Sequence, residues 1–213
     1  MMGPAYLKLS QGLSDRDFGG EMAWKIEQWM RDVFPGADRI YEEYRGLPRR
    51  ELAITAGAVL DLALVEILSM TLTGPEQEIH SFLGINGDGR APCGSFGARI
   101  QLALLLSVIS ERDAAILRAI KNIRNQLAHQ VNADFDSSSV LPLLSKLHDN
   151  FQELAESLMA SGSLSSASRS AYSIKPFLAT EAEAGAGLLL VIFCIYQAYL
   201  HRIYDRLPAA KQG

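Results

Sequence analysis

The chain has 213 residues, 48% of them hydrophobic, and a formal net charge of -4 from 20 basic and 24 acidic side chains. That much apolar material excludes a largely disordered chain, and the length fits one domain, or one domain with an extension. The acid surplus and the lack of a basic stripe speak against a tight, sequence-specific grip on duplex DNA by this chain alone, because such a grip needs cations against phosphates.

Two cysteines, Cys93 and Cys194, lie far apart without CxxC spacing. A zinc centre needs about four ligands in close pairs, so neither a metal nor a cofactor is expected. A disulfide stays open, with free thiols the default reading. The opening residues MMGPAYLKLSQG lack the charged-then-apolar run of a signal peptide, and a cytoplasmic location is expected.

Residues 1–18 read as irregular. After Gly19 and Gly20, the residues Met22, Ile26, Trp29, Met30 and Val33 fall on one helical face, and Pro35-Gly36 stops the pattern. This helix either packs on the domain or acts as a partner-binding arm, since Trp24 and Trp29 are large anchors. Residues 1–48 are therefore expected to be an N-terminal extension with one amphipathic helix, and residues 49–206 a helical bundle.

Pro48 opens a long helix over residues 49–73, apolar on nearly all sides and so expected to be central. Gly74-Pro75 ends it, and residues 76–83 suit a short helix. The run GINGDGRAPCG, Gly84–Gly94, reads as a loop without the spacing or the GKS/GKT ending of a phosphate loop. Ser95 is placed to cap a helix from about Phe96 to Val108. Ser110 with Asp113 matches a capping box, in which each residue satisfies an amide the other leaves free, and starts a helix from Glu111 to about Val131. Ser138-Ser139 suits the cap of another helix, running to about Ala160 with Pro142 in its first turn. SGSLSSASRS, residues 161–170, reads as a flexible connection.

The last helix is expected from about Thr180 to Arg206. Its stretch Ala184–Leu200 approaches the length of a membrane span. Gln197 interrupts that stretch, and Gly185 and Gly187 weaken its start, so a buried central helix is expected rather than an anchor. No segment shows the two-residue alternation of a strand. The fold class expected is all-α, a bundle of about six to seven helices.

On a helical wheel the segment 111–131 carries a stripe of Ile116, Ile120, Ile123, Leu127 and Val131, which must face the core. Arg118, Lys121, Asn122, Asn125 and His129 gather on the opposite side. Asn125 and His129, four apart, are neighbours, and Arg124 at the flank is long enough to swing toward them. Such a face is solvated, lines a groove, or meets its own copy across a two-fold axis.

Other chemistry-bearing residues form weaker patterns. Asp61 and Glu66 diverge by about 140° on the wheel. Each is expected to pair with a cation from a neighbouring helix, Arg99 or Arg124, because a lone buried carboxylate is costly. His80 and His201 have no partners at ligand spacing, and His148 lies beside Asp149. Ser95 in GSFG lacks the strand and the spacing of a nucleophile elbow.

The run RNQLAH, Arg124–His129, resembles the motif of HEPN proteins, an arginine followed by a polar residue and, four to six positions on, a histidine. In the HEPN ribonucleases that this resemblance implies, the histidine is acid or base, the arginine holds the scissile phosphate, and two motifs meet in a dimer. Arg124, Asn125 and His129 would fill those roles. A longer series, RELAITAGAVLDLALVEIL followed by GSFGARIQLALLLSVISERDAAILRAIKNIRNQLAH, resembles the mannitol operon repressor family over about residues 49–205. The first 48 residues and the Ser-rich link depart from it. That resemblance implies an all-helical, HEPN-like regulator acting through protein partners.

Two functions follow as expectations. One is a non-enzymatic regulator of transcription or sugar uptake, a homodimer contacting protein partners through Lys121, Asn122, Trp24 and Trp29, with no direct DNA binding and no membrane contact. The alternative is a metal-independent ribonuclease using Arg124, Asn125 and His129. It would have RNA as its partner, with imidazole titrating near neutrality and a guanidinium matching the phosphate.

Overall fold

A computed structural model describes residues 28–85, 90–160 and 182–207 of the chain. Among them are eight α-helices and no strand: α1 Gln28–Val33, α2 Ala37–Tyr44, α3 Arg49–Thr71, α4 Glu76–Leu83, α5 Phe96–Leu105, α6 Glu111–His129, α7 Leu141–Ala160 and α8 Ala182–Arg206. The all-α class is as expected. Trp24 and the Ser-rich link fall outside the described residues, as does the first part of the predicted N-terminal helix.

α8 is the axis of the bundle. From Ala184 to Tyr196 every residue is buried, and Leu188 to Ile195 have no exposed surface at all. A helix apolar all round has to be enclosed on all sides. α2, α3 and α7 pack directly on it. α6 packs on α3 and α7, and α5 lies against both α3 and α6. By length and composition α3 and α8 could each cross a membrane, but 83% of the apolar window of α8 is buried inside the fold, against 56% for α3. Gly185 of α8 packs against Leu144 of α7 and Phe135 just ahead of it. A Cβ there would stand 2.8 Å from Leu144 Cδ1 and 3.1 Å from Phe135 Cβ.

The helix count exceeds the expected six to seven because of α2. Gly36 adopts φ +93°, a backbone shape that favours glycine, and the chain turns straight into a second short helix instead of stopping. α2 shows one buried edge, Ala37 and Ile40, which joins Met30 and Phe34 in the common core. An edge of two residues is too short to register as periodicity in the sequence.

Polar fasteners set the ends of α6. At its start the expected capping box is present: Ser110 Oγ accepts from the Asp113 N–H at 3.2 Å, and the Ser110 N–H donates to the Asp113 carboxylate at 2.9 Å. The same carboxylate accepts from Tyr196 Oη at 2.9 Å and Tyr199 Oη at 3.3 Å, which ties the cap to α8. Burial, then the charge and hydrogen bond of Asp113, hold the Tyr196 hydroxyl well above its ordinary pKa and push that of Tyr199 up to about 12. At the far end Arg50 donates to the carbonyls of Gln130, Val131 and Ala133. The helix stops at His129, so Val131 leaves the apolar stripe to which its spacing assigned it and is 85% exposed.

Arg49 joins three elements. Its guanidinium bonds both oxygens of Asp134, ahead of α7, and Glu183 in the first turn of α8. Burial raises the Asp134 carboxyl, but the hydrogen bonds from Arg49 and the Phe135 N–H and the charges of Arg49 and Arg50 outweigh it, and the group sits below its ordinary value. A depressed carboxylate pKa gives stability that is present above the unfolded value, about 3.9, and is lost as pH falls through the folded one. Asp134→Asn should therefore lower stability at neutral pH and shrink the loss on acidification, as measured by urea unfolding at pH 2 to 7.

Candidate functional site

The RNQLAH segment occupies the last two turns of α6. Ile116, Ile120, Ile123 and Leu127 are buried, as their spacing requires, and this turns the polar residues of the helix outward. Within that outward face the side chains take separate directions. Arg124 lies across α3. A Cβ on Gly57 would fall 2.9 Å from Arg124 Cγ and 3.2 Å from its Cδ, so the arginine stem runs over bare helix backbone. Its Nη1 donates to Asn125 Oδ1 at 3.3 Å, while its Nε is buried without a hydrogen-bond partner.

Lys121, one turn earlier, turns to α5 instead. Its Nζ lies 3.3 Å from the position of a Cβ on Gly97, in the first turn of α5. Arg118 reaches Gln101 on α5 at 2.7 Å. α6 therefore lays its cations over glycines and a glutamine of adjoining helices. Asn122 is exposed. His129 is the last residue of α6, also exposed, with no hydrogen bond or ion pair among the described residues. Arg124 and Asn125 are hydrogen-bonded; His129, one turn beyond Asn125 and about 140° round from Arg124, bonds to neither. Trp24 is outside the described residues, and the side chain of Trp29 in α1 is not described.

Beneath Arg124 lies an ion pair. Arg99, 8% exposed, donates to Asp61 at 2.7 Å and to the carbonyls of Leu83 and Cys93 at 2.7 and 3.0 Å. Burial raises the Asp61 carboxyl above its ordinary value, with the Arg99 bond and the charges of Arg99 and Arg124 opposing. Of the two carboxylates expected to pair across helices, Asp61 does so with Arg99. Glu66 does not: it is exposed and has no partner among the described residues.

Ser95 acts as the expected cap, accepting from the Ala98 N–H at 3.2 Å. Cys93 and Cys194 are both buried free thiols, and burial raises each pKa. His80 lies 3.7 Å from Glu76, and the buried His148 has Nδ1 3.4 Å from Asp149. Among the described residues no group of three His, Cys, Asp or Glu side chains is arranged to hold a metal ion. An open cleft of about 330 Å³ between α2 and α8, lined by Arg39, His201, Arg202 and Asp205, shares no residue with the α6 face.

Three participants were not singled out in the sequence: Gly57 and Gly97 as seats for Arg124 and Lys121, and Arg50 as the closure of α6. The signal for Gly57 was present, since an isolated glycine in a helix costs about 1 kcal/mol against alanine and, where retained, has a packing reason. No family model, no curated protein and no solved structure matches the chain.

Two stability predictions follow from this geometry. Gly57→Ala places a methyl against the near end of the Arg124 stem, and should cost about 1–3 kcal/mol by overpacking despite the better helix former. His129→Ala removes an exposed side chain and should change stability by no more than about 0.5 kcal/mol. Urea unfolding of both variants beside the parent chain checks this; a Gly57→Ala protein more stable than the parent would show that Arg124 is not seated as described.

Proposed function

We propose that the chain is a non-enzymatic, cytoplasmic regulator similar to the mannitol operon repressor family, working through protein contacts on the polar face of α6 rather than by binding duplex DNA. The reading is supported above all by the divergence of the motif's side chains. Arg124 is committed to Gly57 and Asn125, whereas His129 reaches solvent unheld. Acid–base catalysis needs an imidazole positioned against the proton it moves, with the phosphate-binding cation beside it. Within one copy, Lys121, Asn122, Asn125 and His129 form a polar face without that convergence, which suits recognition; a catalytic centre would need a second copy to complete it. The net charge of -4 argues in the same direction against duplex DNA.

The test sets wild type and His129→Ala side by side on mixed RNA without metal, and compares transcripts in cells carrying wild type or an Asn125→Ala, His129→Ala double variant. No cleavage by either purified protein is expected, together with a changed transcript profile in cells carrying the folded double variant. Cleavage by the wild type that disappears in His129→Ala would replace this reading with the HEPN-type ribonuclease, in which Arg124, Asn125 and His129 act across two copies.

A further inference from the structure

Several cations of this fold are balanced by carboxylates. Arg49 holds Asp134 and Glu183, Arg99 holds Asp61, and Arg112 at the start of α6 lies 3.9 Å from Glu153. The polar face of α6 is different. From Leu117 to His129 the helix has no Asp or Glu, and neither has α5. Arg118 and Lys121, both partly exposed, stand on that face with Asn125 and His129, all four within about 80° of the wheel. Arg118 bonds the neutral Gln101 amide, and Lys121 has no hydrogen bond or ion pair among the described residues. In a chain of net charge -4, positive charge without a counter-charge on one face is complementary to an anionic partner.

The two cations stand in register with α5. Lys121 lies over Gly97 and Arg118 bonds Gln101, so the helices run antiparallel with contacts one turn apart. The next residue in that row of α5 is Leu105, 72% exposed. Along about 12 Å, the rise of eight helical residues, the seam therefore presents an ammonium, a guanidinium and a leucine. We propose that this seam docks an acidic segment of a protein partner, with two carboxylates about one turn apart and an apolar side chain one turn beyond them. The seam belongs to the α6 face proposed above for protein contacts, so the docking rests on that reading and names the chemistry of its partner.

A guanidinium offers a planar fork that matches a carboxylate, and an ammonium offers a point charge. Exposed ion pairs each add little affinity. They steer the encounter and fix the register, while Leu105 supplies the apolar contact. A nucleic acid strand fits the seam less well. Single strands are gripped by a charged groove together with aromatic platforms for the bases. Phe96 is the single Phe, Tyr or Trp of α5 and α6, and it is only 5% exposed. Two cations also fall short of the stripe that a phosphate backbone needs.

The test is selection from a random peptide library displayed on phage, with the full chain as bait beside an Arg118→Glu, Lys121→Glu double variant. Wild type should enrich peptides with paired Asp or Glu and a nearby apolar residue. The charge-reversed variant, with unchanged helical circular dichroism, should enrich paired Lys or Arg instead, which no loss of folding produces. Should the double reversal unfold, Lys121→Glu alone carries the same test, because the Lys121 ammonium holds no partner among the described residues. The enriched acidic peptides, labelled and free in solution, should bind wild type more weakly as salt rises. Leu105→Ser should weaken them several-fold without altering that salt dependence. Wild type enriching no acidic sequences would overturn the proposal, as would both proteins enriching the same ones. An oligouridine that displaces the selected peptides from wild type and fails to bind the variant would also overturn it, and would assign the seam to RNA. The two readings fail separately: RNA cleavage that is lost in His129→Ala removes the protein-contact reading itself, whereas a failed selection without cleavage removes only the acidic partner.

Discussion

The arrangement depends on enclosing α8. From Ala184 to Leu200 the helix carries no charged side chain, and most of it is without solvent contact. Fully burying a side chain of the Leu, Ile, Val or Phe type gives about 1.5–3 kcal/mol, and the benefit is realised only when other helices close around it. α2, α3 and α7 do so directly. Their own remaining apolar edges then require α5 and α6, which brings the second layer of the bundle into place.

The polar contacts decide where the enclosing helices begin and end. Asp113 serves both as the cap of α6 and as acceptor for two tyrosines of α8, so the start of the motif helix is registered against the central one. Arg49 and Arg50, adjacent in sequence, act on different targets: one clamps Asp134 and Glu183, the other donates to the carbonyls beyond α6. The helix bearing RNQLAH is therefore fastened near both of its ends.

Packing also gives the motif's members different surroundings. Arg124 descends onto a glycine of α3 and bonds its neighbour Asn125, so its position is set by the tertiary contact of α3 with α6. His129 follows only the helical geometry of α6 and ends in solvent. The same packing leaves one edge of α3 uncovered, with Ile54, Ala58 and Leu62 in a row.

Local chemistry was legible in the sequence. The caps at Ser95 and Ser110, the inward stripe from Ile116 to Leu127, the outward turn of His129 and the centrality of α8 follow from spacing, capping and hydropathy, which act within a few residues of chain. α2 escaped because two buried residues make no period, and Val131 was misassigned because the wheel extends a helix that Arg50, 81 residues away, helps to end. The choice of Arg99 over Arg124 as the partner of Asp61, the exposure of Glu66 and the seat of Arg124 on Gly57 were decided by tertiary structure alone. Periodicity tells which side of a helix faces the core; only the packed neighbours determine which side chains, distant in sequence, meet there.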